Sequence, residues 1–339
     1  IRLSLVGSEM CIRDRYDTES EKRSPQEMAQ EIDMDHIGSG DTFFEAHIVE
    51  EHKRLFGRPP VTARTVDFKK GISSDVIPSM LMRKDRLGLQ INSSGPLRIW
   101  APLIDGRLDQ SKNYIVGADI SKGQGASNSV LSVRCEETGV KVAEWADANI
   151  PPYDFARIAC AVCLWIGGAS HGGRPLLIWE MNGPGWDFGR EIMQKYQYPR
   201  PYFDVVIGTS VEKTTKRYGW HSNNDKKEVV LGLYRRNLAH GGFINHSIEA
   251  LDEALLYVRG EDGEIVPSAL TQESAAARKT HGDRVIADAL SLWGDKNKSR
   301  IVQNLPAAPV KSVGGRFVAW KKAEKDMKSG RTFNFSPTR

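Results

Sequence analysis

Cysteine is scarce in this chain: Cys11, Cys135, Cys160 and Cys163 are the only four in 339 residues. That is too few to staple a fold of this length, so disulfides are excluded as its framework. Cys160 and Cys163 have redox or zinc spacing, but they lie inside Phe155-Ala-Arg-Ile-Ala-Cys-Ala-Val-Cys-Leu-Trp165, an apolar helical run with no second ligand pair. They read as buried core thiols. Long hydrophobic runs are missing too. No stretch approaches the ~20 residues that span a bilayer, and none has the layout of a secretory signal. The chain therefore reads as intracellular, with no membrane partner. A Gly-x-x-x-x-Gly-Lys-[Ser/Thr] phosphate loop is also absent, so no ATP hydrolysis is expected.

What is present is ordinary in amount and uneven in placement. Hydrophobic residues make up 40% and charged residues 27%, as in soluble globular proteins, and the length suits about two domains. The net charge of +4 hides a basic tail. Residues 296–339 carry eleven Lys/Arg against Glu324 and Asp326, a net of +9 that leaves −5 for residues 1–295. The tail suits either a polyanion or simple solvation.

Three acids end or open strongly patterned segments. Asn113-Tyr-Ile-Val-Gly-Ala-Asp119 is an apolar run read as a buried strand tipped by Asp119, in which Gly117 lets a neighbouring backbone approach. Ser129–Arg134 and Val140–Trp145 continue it as a three-stranded meander, turned at Glu136-Glu-Thr-Gly139. Pro175-Leu-Leu-Ile-Trp-Glu180 is a second apolar strand, tipped by Glu180 and followed by the turn Asn182-Gly-Pro-Gly185. Thr280-His-Gly-Asp283 opens a helix over Arg284–Trp293. Three carboxylates at element ends suit divalent-metal phosphoryl chemistry, which needs an acidic cage of oxygen ligands. At ~5 Å and an effective dielectric of ~20 each pair repels by roughly 3 kcal/mol, so such a cluster is tolerable mainly with cations bound. Each acid also has a plainer reading. Glu180 could cap the following turn, and Asp283 could be the N-cap of its own helix.

The remaining chain supplies the frame. Residues 1–15 fit no element and look like the translation of a sequencing adapter, so that the chain would be a fragment. Ser24-Pro-Gln-Glu27 caps an expected helix through Met28–Ile32, and Ala46–Phe56 is a second. Residues 57–96 carry loop signals, and Leu97–Pro102 reads as a strand entering the main domain. Helices follow from Pro151 to a stop at Gly167-Gly168, from Trp186 to Gln194 and from Asp225 to Leu238, with a short strand at Phe203–Ile207 and a hairpin of Leu255–Val258 and Glu264–Pro267. Thr271–Lys279 reads as a surface loop. The resulting pattern is an α/β fold with a mixed sheet that begins as an antiparallel meander and continues through crossover helices. A Rossmann domain would alternate from its first strand, so the meander excludes one.

With those pieces in place the chain resembles the nuclease domain of the large terminase subunit of tailed bacteriophages, a ribonuclease-H-like fold. The matching motifs are Val116-Gly-Ala-Asp-Ile-Ser-Lys-Gly123, Leu177-Ile-Trp-Glu-Met-Asn-Gly-Pro-Gly185, Tyr218-Gly-Trp-His-Ser-Asn223 with Lys227, and His281-Gly-Asp-Arg-Val-Ile-Ala-Asp-Ala-Leu290. The likeness covers roughly residues 97–294. It implies a nuclease domain over 97–295, the end of a packaging ATPase domain plus linker over 16–96, and a separate basic tail over 296–339. It also implies Asp119, Glu180 and Asp283 as catalytic metal ligands for two Mg²⁺ or Mn²⁺ ions. The activity implied is hydrolysis of double-stranded viral DNA to 3′-hydroxyl and 5′-phosphate ends during genome packaging in the cytoplasm of the infected host. The implied protein partners are the portal and the small terminase subunit.

Asn128, His281 and Asp288 are candidates to stand behind the ligands; His281 reads equally as a plain loop histidine, and Asp288, five positions after Asp283, as surface. Lys122, Lys213, Lys216, Arg217, Lys226 and Lys227 could line a DNA groove through phosphate contacts, or form a solvated face. Two positions depart from the family: Asn128 stands where an acid is common, and Gly282-Asp283 where an acid pair is common. Both lower the negative charge and imply weaker metal binding. Two other readings of the same residues stay open: another ribonuclease-H-like enzyme, such as a transposase or junction resolvase, and a catalytically idle DNA-binding or docking module of the packaging motor.

Overall fold

The computed structural model of the chain describes residues 42–83, 85, 87–91, 94–169, 173–206, 213–260, 263–268 and 282–296. The leader at 1–15, the helix expected after Ser24, the loop at 271–279 and the basic tail beyond 296 lie outside the described residues. The first described elements are α1 (Ala46–Phe56), β1 (Thr62–Thr65), α2 (Ile77–Arg83), β2 (Gln90–Ile91) and β3 (Leu97–Ile99). The meander follows as β4 (Tyr114–Asp119), β5 (Ser129–Cys135) and β6 (Lys141–Asp147), then α3 (Pro152–Ile166) and β7 (Leu176–Trp179). Next come α4 (Gly185–Arg190), prolonged by a π-helical turn over Glu191–Lys195, then β8 (Phe203–Val206) and β9 (Lys213–Tyr218). The last described elements are α5 (Asn224–Ala239), α6 (Ile248–Leu255), β10 (Tyr257–Arg259), β11 (Ile265–Pro267) and α7 (Asp283–Lys296).

Seven strands form one sheet in the order β2-β1-β3-β6-β5-β4-β7. Neighbours are antiparallel up to β4, and β7 lies parallel to β4. This is the mixed sheet with an antiparallel meander expected of a ribonuclease-H-like fold, and β1, β2 and β3, ahead of the meander in sequence, extend it beyond β6. The meander is antiparallel because short turns join its strands, whereas the parallel β4–β7 pair needs a crossover, which α3 provides. The expected boundary at 96/97 falls between two strands of this one sheet.

The central strands are buried on both faces, which explains their unbroken apolar runs. Tyr114, Val116 and Ala118 of β4, with Leu177 and Trp179 of β7, face a core that includes Cys160, Cys163 and the rest of α3. Ile115, Leu176 and Ile178 face the opposite core, built from α5, α6 and α7. The two cysteines are fully buried free thiols, as the apolar helical run suggested. Among the described residues no helix is long and apolar enough to cross a membrane.

Gly117 decides how α7 meets the sheet. A Cβ there would lie 2.0 Å from the Ala287 carbonyl oxygen and 2.7 Å from the Ser291 nitrogen. One turn further along α7, a Cβ on Gly294 would lie 2.8 Å from Ile115. Helix and strand thus touch backbone to backbone, with α7 running antiparallel to β4 and its first residue toward the tip of that strand.

Candidate active site

The packing of β4, β7 and α7 brings the three acids to one place. In the parallel register Ala118 faces Trp179, and the Glu180 N–H donates to the Ala118 carbonyl at 3.1 Å. Asp119 and Glu180 are therefore neighbours at the same sheet edge. Side chains alternate along a strand, so both point to the face that Gly117 presents to α7. Asp119 lies two residues beyond Gly117, about 7 Å along the strand, and Asp283 one turn before Ala287, about 6 Å along the helix. The two displacements run the same way.

Electrostatics records the convergence. Burial, followed by the charges of Glu180 and Asp283, pushes the Asp119 carboxyl well above the usual carboxylate range, while the Ile120 N–H and Lys227 pull it partly back. Glu180 is raised by burial, against Lys227 and a hydrogen bond with Ser222. Asp283 is itself buried, 6% exposed, and both of its oxygens accept hydrogen bonds: from the Ser127 hydroxyl at 2.6 Å and the Asn128 N–H at 2.5 Å. Asn128 thus meets Asp283 through its backbone. Hard carboxylate oxygens with too little nearby positive charge fit a divalent cation in donor type and in charge. Among the described residues no group of three or more His, Cys, Asp or Glu is arranged to hold a metal ion.

The structure explains Gly282. Its φ is +76°, and a Cβ would lie 2.5 Å from the Tyr257 hydroxyl, which donates to the Gly282 carbonyl at 2.9 Å. An acid at this position would need both a strained backbone and the space that Tyr257 fills. Tyr257 is buried, and its phenol is pushed up by burial and by the charges of Asp119, Glu253, Asp283 and Glu180. It therefore lies among the acids as well as behind them.

Behind α7 lies a polar core that reading the sequence did not find. Arg284 donates to Glu144 at 3.0 Å and to Glu253 at 2.5 Å, and its own backbone N–H donates to Glu253 at 2.8 Å. Lys141 pairs with Glu144 at 2.7 Å and with Asp288 at 2.8 Å. Asp288 also accepts from Ser132, from the Tyr234 hydroxyl at 3.3 Å and from Asn245 at 2.8 Å. Burial would raise Glu144, but Lys141 and Arg284 outweigh it and hold the carboxyl at about 2. Burial dominates at Glu253 and lifts it to about 7, with Arg284 opposing. Asp288 has no solvent exposure, which corrects its reading as a surface residue. Five positions do turn it away from Asp283, but toward β5 and β6 and not toward water.

The basic residues separate into groups. Lys226 pairs with Asp204 at 2.7 Å, and Lys227 acts on Asp119 and Glu180. Lys122 and Arg217 are exposed. Lys213 and Lys216 lie on β9 with side chains outside what is described, and His281 lies outside the described residues. Ser127, Ser222 and Tyr257 were not foreseen. The signal for Ser127 was its place beside Asn128; Tyr257 looked like one more hairpin residue.

No protein-family model matches the chain, and no curated protein sequence matches it. Solved structures do. The large terminase nuclease of thermophilic phage G20c, in the form with bound magnesium, matches at 16% identity and a TM-score of 0.43, over 65% of this chain and 96% of that one. Its cobalt-bound form matches at 16% identity and 0.42, over the same shares of each chain. The large terminase nuclease domain of Thermus phage P74-26 matches at 18% identity and 0.41, over 67% and 97%. Large terminase nuclease domains of thermophilic phages are thus what this chain is similar to in structure.

Proposed function

We propose that the chain is a divalent-metal-dependent endonuclease that cuts double-stranded viral DNA during genome packaging, a piece of a large terminase subunit. The observation that carries this reading is the convergence of Asp119, Glu180 and Asp283 from two strand tips and a helix start onto one sheet edge. Asp119, Glu180 and Asp283 would hold Mg²⁺ or Mn²⁺, two ions in all. When bound, such ions supply Lewis acidity for hydrolysis of a phosphodiester by water and positive charge opposite the phosphate. The chain's own part is to hold the ligands. Ser127 and the Asn128 amide fix the plane of the Asp283 carboxylate, the β4–β7 register fixes Asp119 against Glu180, and Lys227 offsets part of their charge. Lys122 and Arg217, both exposed, would contact the DNA backbone, which fixes position without reading sequence. The portal and the small terminase subunit would be its partners in the host cytoplasm.

A plasmid-nicking assay with and without Mn²⁺ tests the proposal. Wild-type chain should nick supercoiled plasmid only with metal, and Asp119→Ala should abolish nicking while keeping the wild-type circular dichroism spectrum. Undiminished cutting by Asp119→Ala removes the assignment. If the wild-type chain binds DNA and does not cut at millimolar Mn²⁺, the idle DNA-binding module is the correct reading. That alternative is favoured by one observation: both Asp283 oxygens are already engaged.

A further inference from the structure

Of the seven tryptophans among the described residues six are buried, and Trp186 alone is 57% exposed. Leaving so large an apolar face in water forgoes burial that the other six enjoy. Its position is fixed by the site. Trp186 follows Gly185 in the first turn of α4, and a Cβ on Gly185 would lie 1.9 Å from the Glu180 carbonyl oxygen, so this turn is pressed against the backbone of a site acid. On its other side the Trp186 ring meets His221 edge to face, at 5.8 Å between centroids and 73° between planes. His221 follows Trp220, which is bridged to Glu180, and precedes Ser222, which hydrogen-bonds Glu180. The two loops are stitched together by Asn182, whose side chain donates to the Ser222 carbonyl at 3.0 Å and accepts from its N–H at 3.1 Å. An aromatic corner thus stands preset beside Glu180, with Lys227 acting on the same acid.

We propose that Trp186, backed by His221, is a stacking platform for an unpaired nucleobase next to the phosphate at the acid cluster. This rests on the nucleic-acid reading of the site and deepens it. The face of a base in an intact duplex is covered by its neighbours, so the platform selects a strand that is locally opened or ended. Stacking on an aromatic face tolerates any base, as phosphate contacts do.

The test is fluorescence anisotropy in EDTA with a labelled oligothymidylate of about twelve nucleotides, within the site sizes of single-strand binders. A second strand of equal length replaces every base by an abasic tetrahydrofuran unit. Trp186→Ala should weaken binding of the oligothymidylate by about 5- to 150-fold, the range that one stacked base is worth. Trp186→Phe should stay within about threefold of wild type, and Trp186→Ala and wild type should bind the abasic strand alike. Equal affinity of Trp186→Ala and wild type for oligothymidylate overturns the platform and leaves the nuclease reading standing. So does an equal loss on the abasic strand, because it would show that the ring supports the loop and not the base. If the wild-type chain binds neither strand nor duplex DNA, the nucleic-acid reading itself falls and the platform with it.

Discussion

Asp119 shows how much one residue's placement can carry. Its strand, its position at the strand tip and the close approach at Gly117 were all legible in the sequence, because an apolar run ended by an acid has few structural meanings. The energetic setting was not legible, since it depends on which other charges the fold brings near. The charges of Asp119, Glu180 and Asp283 oppose one another, with Lys227 in partial compensation. Replacing Asp119 by Asn should therefore stabilise the metal-free protein by roughly 1–3 kcal/mol at pH 7.5, read from urea unfolding. The same substitution should abolish metal-dependent nicking. A variant that lost stability and activity together would show Asp119 to be structural. Gly282 shows what was not legible: the φ of +76° and the Tyr257 hydroxyl leave no room for an acid there, a structural reason that stands beside the expected weaker metal binding.

At the scale of elements α7 is the part on which most depends. It carries Asp283 at its first residue, lies backbone to backbone on β4 and roots its start in Glu144 and Glu253 through Arg284. Gly117→Ala should cost more than about 3 kcal/mol or prevent folding, because the neighbour to be displaced is helix backbone; the urea midpoint measures it. Arg284→Met should cost about 3–5 kcal/mol by leaving the buried Glu253 without its cation and Glu144 with Lys141 alone, again read from urea unfolding. A loss below about 1 kcal/mol would contradict the assignment of this pair as a buried anchor. The helix was legible from its 3.6-residue period, but its polar underside was not. Lys141, Glu144 and Asp288 each look like surface charges in sequence, and only the juxtaposition of β5, β6 and α7 buries them together. The same limit hid α6, whose Ser247 N-cap accepts from the Ala250 N–H, and β9, which read only as a run of cations.

For the whole molecule the buried acids set an unusual pH dependence. Glu144 is depressed to about 2 from 4.5, so its stabilisation is present above pH 4.5 and is lost as pH falls toward 2. Glu253 is raised to about 7 from 4.5, so the folded state holds a proton that the unfolded state has released. Stability from that source is full below pH 4.5 and falls as pH rises to 7, by about 3 kcal/mol. Asp119 and Glu180 are shifted the same way as Glu253. The metal-free melting temperature should therefore peak near pH 5 and decline toward pH 7.5, and millimolar Mn²⁺ should restore much of the loss at pH 7.5 and little at pH 5. A melting temperature that rose steadily from pH 5 to 7.5 without metal would contradict these shifts. Fold class was readable at this scale because the order of strands, turns and helices constrains topology. The buried polar core was not, because topology alone does not say which charges end up inside.

The measurement that bears most directly on the central claim is calorimetric titration of Mn²⁺ into the wild-type chain and into Asp119→Asn, Glu180→Gln and Asp283→Asn. One shared pocket predicts saturable binding by the wild type and a loss of at least about tenfold in affinity in each variant, since each removes one charged oxygen ligand. Absence of binding at millimolar Mn²⁺, or three variants that bind as the wild type does, would contradict it.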